Sequence, residues 1–238
     1  MNLTRRHILV AGVGLIAGGC QSPTSLSRRP EPTWPDFHGR PMPGGTPARP
    51  APPPAVRPPI APVQPQPSAV AQVRVIPRAR WAGGGPRLDR INPMGYVNRI
   101  TVHHEGWTPV WFDDAASSAK RIESIRNSHQ QRGWADIGYH YVIDRGGRVW
   151  EGRNVAYQGA HVRDNNENNV GVMLLGNFDK QAPSQPQVGA LQQMLVTLER
   201  HYRVHSSRLY THQELNRTEC PGDSLQAHMV AIRRAGIV

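Results

Sequence analysis

The sequence predicts an α/β fold for residues 72–238: a single domain with a central mixed β-sheet flanked by helices on both faces. Three observations carry that prediction. Segments rich in β-branched residues interleave with segments whose apolar residues recur every three to four positions. Residues 170–175 (Val-Gly-Val-Met-Leu-Leu) form a continuous apolar run, as expected of a strand covered on both faces. Between two short strand-like stretches stands Asp144-Arg145-Gly146-Gly147, the punctuation of a β-hairpin.

The elements follow in order. Residues 97–103 (Val-Asn-Arg-Ile-Thr-Val-His) have the β-branched side chains of a strand. Residues 113–132 are expected to be helical, because Ala115, Ala119, Ile122 and Ile125 recur at helical spacing, with Asp113 placed to cap the helix and Gly133 to stop it. Residues 139–143 and 148–151 are the hairpin strands. Val188, Leu191, Leu195, Leu198 and Tyr202 mark a second helix behind Ser184 and Gln187, three apart as in a capping box. Residues 209–211 read as a short strand. Leu225, Met229 and Ile232 suggest a terminal helix.

Ahead of this domain the composition changes twice. Residues 1–20 have the three-part layout of a secretory signal: Arg5 and Arg6, an uncharged and mostly apolar stretch over 8–19, then the small residues Ala17-Gly18-Gly19 before Cys20. Thr4-Arg5-Arg6-His7-Ile8-Leu9 resembles a twin-arginine signal. The Ala-Gly-Gly-Cys ending resembles a bacterial lipoprotein cleavage site, in which Cys20 becomes the lipidated first residue; it departs from that pattern at Ala17, where Leu is usual. Residues 21–71 are expected to be a disordered linker, since sixteen of the 23 prolines lie within 21–70. Such a stretch favours extended polyproline II and buries too little apolar surface to offset its ordering entropy. The organisation predicts an exported protein held at the periplasmic face of the bacterial envelope by a lipid anchor, with simple signal cleavage and a soluble product as the alternative.

The 238 residues carry 28 Lys+Arg against 17 Asp+Glu, a net charge of +11. That balance suits an anionic wall polymer or membrane surface. A dense Lys/Arg block and a nucleic-acid motif are both missing, so nucleic acid is not an expected partner. The mostly apolar stretch over 8–19 is shorter than the roughly 18 residues of a conventional spanning helix. With only Cys20 and Cys220, at most one disulfide can form, which excludes a disulfide scaffold. A monomer is expected.

Chemistry-bearing residues gather in three places: His103-His104-Glu105-Gly106, His161 behind Gln158-Gly159-Ala160, and the stretch from Thr211 and His212 to Cys220-Pro221-Gly222. A retained thiol in an exported protein is an oxidation liability unless something protects it, and coordination as a thiolate does so. Zn²⁺ accepts Cys sulfur and His nitrogen, and catalytic sites commonly keep three protein ligands. His212 at a strand end and Cys220 eight residues later can fold back onto one ion, with a third ligand from the early pair. His103 and His104 point to opposite faces of a strand, so at most one of them is a ligand, and composition does not choose. Glu105 is read as a surface residue, and Asn169 as a turn or contact residue.

Six motifs, in order, resemble those of the zinc N-acetylmuramoyl-L-alanine amidases, in the branch of the peptidoglycan recognition proteins and phage amidases. They are Ile100-Thr101-Val102-His103-His104, Asp136-Ile137-Gly138-Tyr139-His140-Tyr141-Val142-Ile143, Gly146-Gly147-Arg148-Val149-Trp150-Glu151-Gly152-Arg153, Gln158-Gly159-Ala160-His161, Asn168-Asn169-Val170-Gly171-Val172 and the 211–222 stretch; Arg80-Trp81 resembles the domain's start. The resemblance spans about residues 75–235. It implies one Zn²⁺ held by His103, His212 and Cys220, an active-site Tyr139, a second catalytic position at Thr218, and a substrate contact from His161. The implied reaction is hydrolysis of the amide between N-acetylmuramic acid and L-alanine in peptidoglycan, with Tyr139 orienting and stabilising an oxyanion and Thr218 limited to hydrogen bonding. Another branch of zinc amidases carries a catalytic Glu where this chain has Met173, so a mechanism needing that acid is not expected. The competing expectation is a non-catalytic peptidoglycan-binding module of the same fold.

Overall fold

The computed structural model describes residues 73–236; the expected signal over 1–20, the lipidation site Cys20 and the linker over 21–71 lie outside the described residues. Six strands form one sheet: β1 (Val75–Ile76), β2 (Arg99–His104), β3 (Tyr141–Ile143), β4 (Val149–Glu151), β5 (Asn169–Leu174) and β6 (Leu209–Thr211), in the order β1-β4-β3-β5-β2-β6. The β3–β4 pair is antiparallel and every other pairing is parallel, which makes the sheet mixed.

Alternation along the strands divides the core. Ile100, Val102, Val170, Val172 and Leu174 face one side, where they meet Leu191, Leu195 and Leu198 of α2 (Gln185–Tyr202) and Leu225, Met229 and Ile232 of α3 (Asp223–Arg234). Val142, Met173 and Leu175 face the other, against Ile122 and Ile125 of α1 (Ala115–Gln131), with Trp81 and Trp150 closing that layer. Helices therefore cover both faces. β5 is buried at every position, the physical content of its unbroken apolar run.

Local signals set the helix ends. At α2 the box is complete: Gln187 N donates to Ser184 Oγ at 3.2 Å, and Ser184 N donates to Gln187 Oε1 at 3.1 Å. At α1 the cap is Asp114, not Asp113. Asp114 is extended (φ −79°, ψ 151°) and its carboxylate accepts from Ser117 N at 2.8 Å, while the main-chain carbonyl of Asp113 receives Arg148 instead. Gly133, at φ +86°, stops α1 in the left-handed region that glycine enters without strain.

The hairpin turn is pinned from inside. Asp144, fully buried, accepts from Arg148 N (3.0 Å), Arg148 Nε (2.7 Å) and Trp150 Nε1 (2.9 Å), so the turn and β4 share one carboxylate. β3 is shorter than its sequence suggests. At its start His140 Nδ1 accepts from Gly171 N at 2.9 Å and His140 N donates to Gly171 O at 3.0 Å, so a side chain takes one place in the ladder. Strand β1 had no signal: it is two residues long, and its partner β4 lies more than seventy positions away.

Candidate metal centre

β2 and β6 run parallel with Val102 beside Thr211, so the next residue of each, His103 and His212, emerge side by side. Their ring centroids are 4.8 Å apart. The chain then turns back: Gln213 N donates to Cys220 O at 2.8 Å, and Leu215 N and Asn216 N both donate to His212 O at 3.0 Å. This closes the loop and delivers the thiol. Thr218 Oγ1 accepts from Cys220 N at 3.3 Å, so its placement serves the cysteine's backbone. The stem of the loop is tied to α3, where Glu214 accepts from Thr211 N (2.8 Å) and pairs with Arg233 (2.6 Å). Donor atoms of His103, His212 and Cys220 all lie within 4.8 Å of one another, close enough to share one metal ion.

The donors fit zinc in spacing and in chemistry. His103 Nδ1 stands 3.6 Å from Cys220 Sγ. With Zn–N about 2.0 Å and Zn–S about 2.3 Å, the N–S edge of a tetrahedral site is about 3.5 Å. Burial, reinforced by the neighbouring His212, His161, His104 and His140, drives the His103 pKa well below the usual imidazole range, and burial with His104 takes His212 to about 4. Both are thus neutral bases at physiological pH, the form that binds a metal. Burial pushes the Cys220 thiol up to about 12, so the thiol is protonated until a cation displaces its proton.

His103, not His104, belongs to this cluster. His104 faces the α2/α3 side, where Phe178 N donates to its Nδ1 at 3.3 Å and its ring approaches Phe178 at 6.1 Å. The alternation read from sequence therefore resolves in favour of the first histidine.

Tyr139 stands beside the donors, its ring 5.2 Å from that of His103. Burial first, then the nearby Cys220 and Glu105, raise its pKa well above the ordinary phenol value, so it stays a neutral hydrogen-bond donor and makes a poor base. Met173 lies fully buried in the core opposite His103 on β5 and offers no acid.

Three residues depart from their sequence-based expectations. Glu105 is not on the surface: its side chain is 4% exposed and ion-paired with Arg121, and burial raises its pKa despite that partner. Asn169 neither makes a turn nor faces outward; its Oδ1 accepts from Thr101 Oγ1 at 2.9 Å and its Nδ2 donates to Asn165 O at 2.8 Å. His161, 2% exposed, has both ring nitrogens committed inside the protein, one 3.0 Å from His103 Nε2 and the other 3.2 Å from Asn169 O. The substrate contact expected of it finds no free nitrogen on this ring. His129, which the sequence did not single out, accepts from Gly138 N at 3.0 Å and so props the backbone that presents Tyr139.

Fold and donor set together define a class: an α/β domain with a His/His/Cys cluster able to take one metal ion at the ends of parallel strands. More particularly, the chain belongs to the N-acetylmuramoyl-L-alanine amidase family, Amidase_2, whose pattern matches residues 93–223. It is 34% identical over 160 residues to an N-acetylmuramoyl-L-alanine amidase of Sus scrofa, a match covering 63% of this chain but only 25% of that longer protein. It is 30% identical over 159 residues to peptidoglycan-recognition protein SC2 of Drosophila melanogaster, covering 66% of this chain and 85% of the relative. A solved structure of peptidoglycan recognition protein-LE in complex with tracheal cytotoxin, a monomeric diaminopimelic acid-type peptidoglycan, matches with a TM-score of 0.57 at 26% identity, over 62% of this chain and 87% of that one.

Proposed function

We propose that this protein is a zinc-dependent amidase that hydrolyses the bond between N-acetylmuramic acid and L-alanine in peptidoglycan. The observation that carries the reading is the convergence of His103, His212 and Cys220 within 4.8 Å, with an N–S spacing of 3.6 Å. A module that only holds the wall has no need of a thiol and two neutral imidazoles gathered within 4.8 Å of one another. The family match and the peptidoglycan ligand of the related structure support the choice of substrate.

Zinc held by these three residues supplies Lewis-acid polarisation of the scissile carbonyl and acidification of water. The chain's own groups do the rest. With two neutral imidazoles and one thiolate as its ligands, such an ion would keep net positive charge, favourable to charge developing on the carbonyl oxygen. The Tyr139 hydroxyl, held neutral, donates a hydrogen bond to that oxygen and orients the attacking water. Thr218 braces Cys220 through the 3.3 Å bond to its amide and has a hydroxyl proton left to donate toward substrate. The same proposal places the domain at the periplasmic face of the bacterial envelope, lipid-anchored through Cys20 and spaced from the membrane by residues 21–71, as a monomer; labelling with a radioactive fatty acid, lost in Cys20→Ala, tests the anchor.

The test of the activity is incubation of the purified protein with peptidoglycan, with and without a chelator, followed by mass analysis. Free stem peptides beginning at L-alanine are expected, lost on chelation, restored by Zn²⁺ and absent in a folded Cys220→Ser variant. Cleavage between sugars, or wall binding with no peptide released, would overturn the amidase reading.

A further inference from the structure

His161 is a buried histidine hydrogen-bonded to the donor His103 without being a donor itself, and its hydrogen bonds have a direction. Its Nε2 lies 3.2 Å from the main-chain oxygen of Asn169. A carbonyl only accepts, so Nε2 carries the proton. A neutral imidazole has one N–H, so Nδ1 of His161 is bare. That bare nitrogen is 3.0 Å from His103 Nε2, which must therefore be the donor. The proton of His103 is then on Nε2, and its lone pair is on Nδ1, the atom 3.6 Å from Cys220 Sγ. Burial disfavours the alternative in which His161 is a cation: the ring is 2% exposed, and its two hydrogen-bond partners are a neutral imidazole and a main-chain carbonyl, neither of which offers a compensating negative charge.

The surroundings are shaped to hold this ring in place. A Cβ on Gly159 would stand 2.3 Å from His161 Cδ2, and one on Gly171 would stand 2.7 Å from Cγ and Cδ2, so both positions are kept clear for the imidazole. Asn166 Oδ1 accepts from both His161 N (2.7 Å) and Val162 N (3.0 Å), fixing the backbone under it. The receiving carbonyl is equally fixed, because the side chain of Asn169 is tied to Thr101 and to Asn165 O.

We propose that His161 is a positioning residue that sets the tautomer and ring orientation of His103 through a relay from His103 Nε2–H to His161 Nδ1 and from His161 Nε2–H to Asn169 O, so that Nδ1 of His103 is presented to the metal. The proposal rests on the zinc reading for its purpose, but the relay itself is a property of the metal-free protein. Outer partners of this kind typically contribute 10- to 100-fold in metal affinity.

Two measurements test it. The first is ¹⁵N–¹H long-range correlation of the histidine side chains in the full chain without metal, which reports which nitrogen is protonated. Nε2–H is expected at both His103 and His161; Nδ1–H at His103 would overturn the relay whatever the enzyme does. The second is zinc affinity by competition with a chromophoric chelator. His161→Phe, which keeps a ring but removes the acceptor, is expected to weaken zinc about 10- to 100-fold. His161→Asn, whose Oδ1 stands close to the place of Nδ1, is expected to restore most of that loss. Equal affinity in wild type and His161→Phe, or no difference between the Phe and Asn variants, would overturn the proposal. Failure of the amidase assay with the tautomers and zinc affinities as expected would count against the function and leave the relay standing.

Discussion

Gly171→Ala, the addition of one methyl group in the middle of β5, separates a site built around His161 from a loosely packed one. The new Cβ would lie 2.7 Å from both Cγ and Cδ2 of His161 and 2.8 Å from Nε2. Carbon contacts settle near about 3.5 Å, so the ring must retreat by roughly 0.8 Å. It has little room, because Gly159 already abuts the same ring edge. Its bonds to His103 and Asn169 start at 3.0 and 3.2 Å, and a shift of that size takes one or both beyond hydrogen-bonding range. Overpacking costs about 1–3 kcal/mol and a lost buried hydrogen bond about 1 kcal/mol, for a total of about 2–4 kcal/mol. In a domain of this size each kcal/mol moves the melting midpoint by about 2–4 °C, which gives a fall of about 4–16 °C. Gly189→Ala is the control: it lies within α2 with nothing within 4 Å of a new Cβ, and is expected to stabilise by up to about 1 kcal/mol. The assay is thermal unfolding of both variants followed by circular dichroism. A Gly171→Ala midpoint equal to wild type would refute the claim that His161 is tightly enclosed.

Zinc at about a thousand times its dissociation constant is expected to raise the melting midpoint by about 8–16 °C through some 4 kcal/mol of linkage, an effect removed by a chelator and lost in Cys220→Ser. Because the thiol sits at about 12 while His212 sits at about 4, titration calorimetry in buffers of different ionisation enthalpy should find about one proton released per ion near neutral pH, and a value above two would contradict the neutral imidazoles. At Glu214, burial opposes ionisation, but hydrogen bonds from Arg233, Thr211 N and Gln226 outweigh it and hold the carboxyl near about 2. A folded-state pKa depressed below the unfolded value of about 4.3 stabilises at higher pH and loses that contribution as pH falls. Glu214→Gln should therefore cost about 1–2 kcal/mol at pH 7, discounted for the pair's partial exposure, with the difference shrinking between pH 4.5 and 2 in denaturant titrations.

What the sequence shows and what it hides follow from range. The Ser184–Gln187 box spans three positions and so is visible as a pattern. The apolar run of β5 and the repeat on α2 report burial directly. Asp113 and Asp114 differ only in which one adopts the extended angles ahead of α1, and residue type carries no trace of that. Alternation allows only one of His103 and His104 to join the cluster, but which face carries the metal depends on β6, more than a hundred residues on. The roles of Glu105, His129, His140 and Asn169 are not legible in the sequence, because their partners are backbone groups or side chains brought close only by the fold. The three donors were legible through their residue types and motif order; the histidine behind them was legible as a residue but not as a role, since its function depends on the direction of two hydrogen bonds.

The register of β2 against β6 has a consequence for the order in which this molecule becomes competent. Two of the three donors sit in the final stretch of the polypeptide, and the third waits on a strand completed about a hundred residues earlier. A chain synthesised only as far as position 211 holds one donor and no partner for it, and one clipped between 212 and 220 holds two and lacks the thiol. The centre cannot assemble piecemeal: it closes only when the last strand docks beside β2, so a capacity to grip the ion is also a certificate that the domain has finished folding.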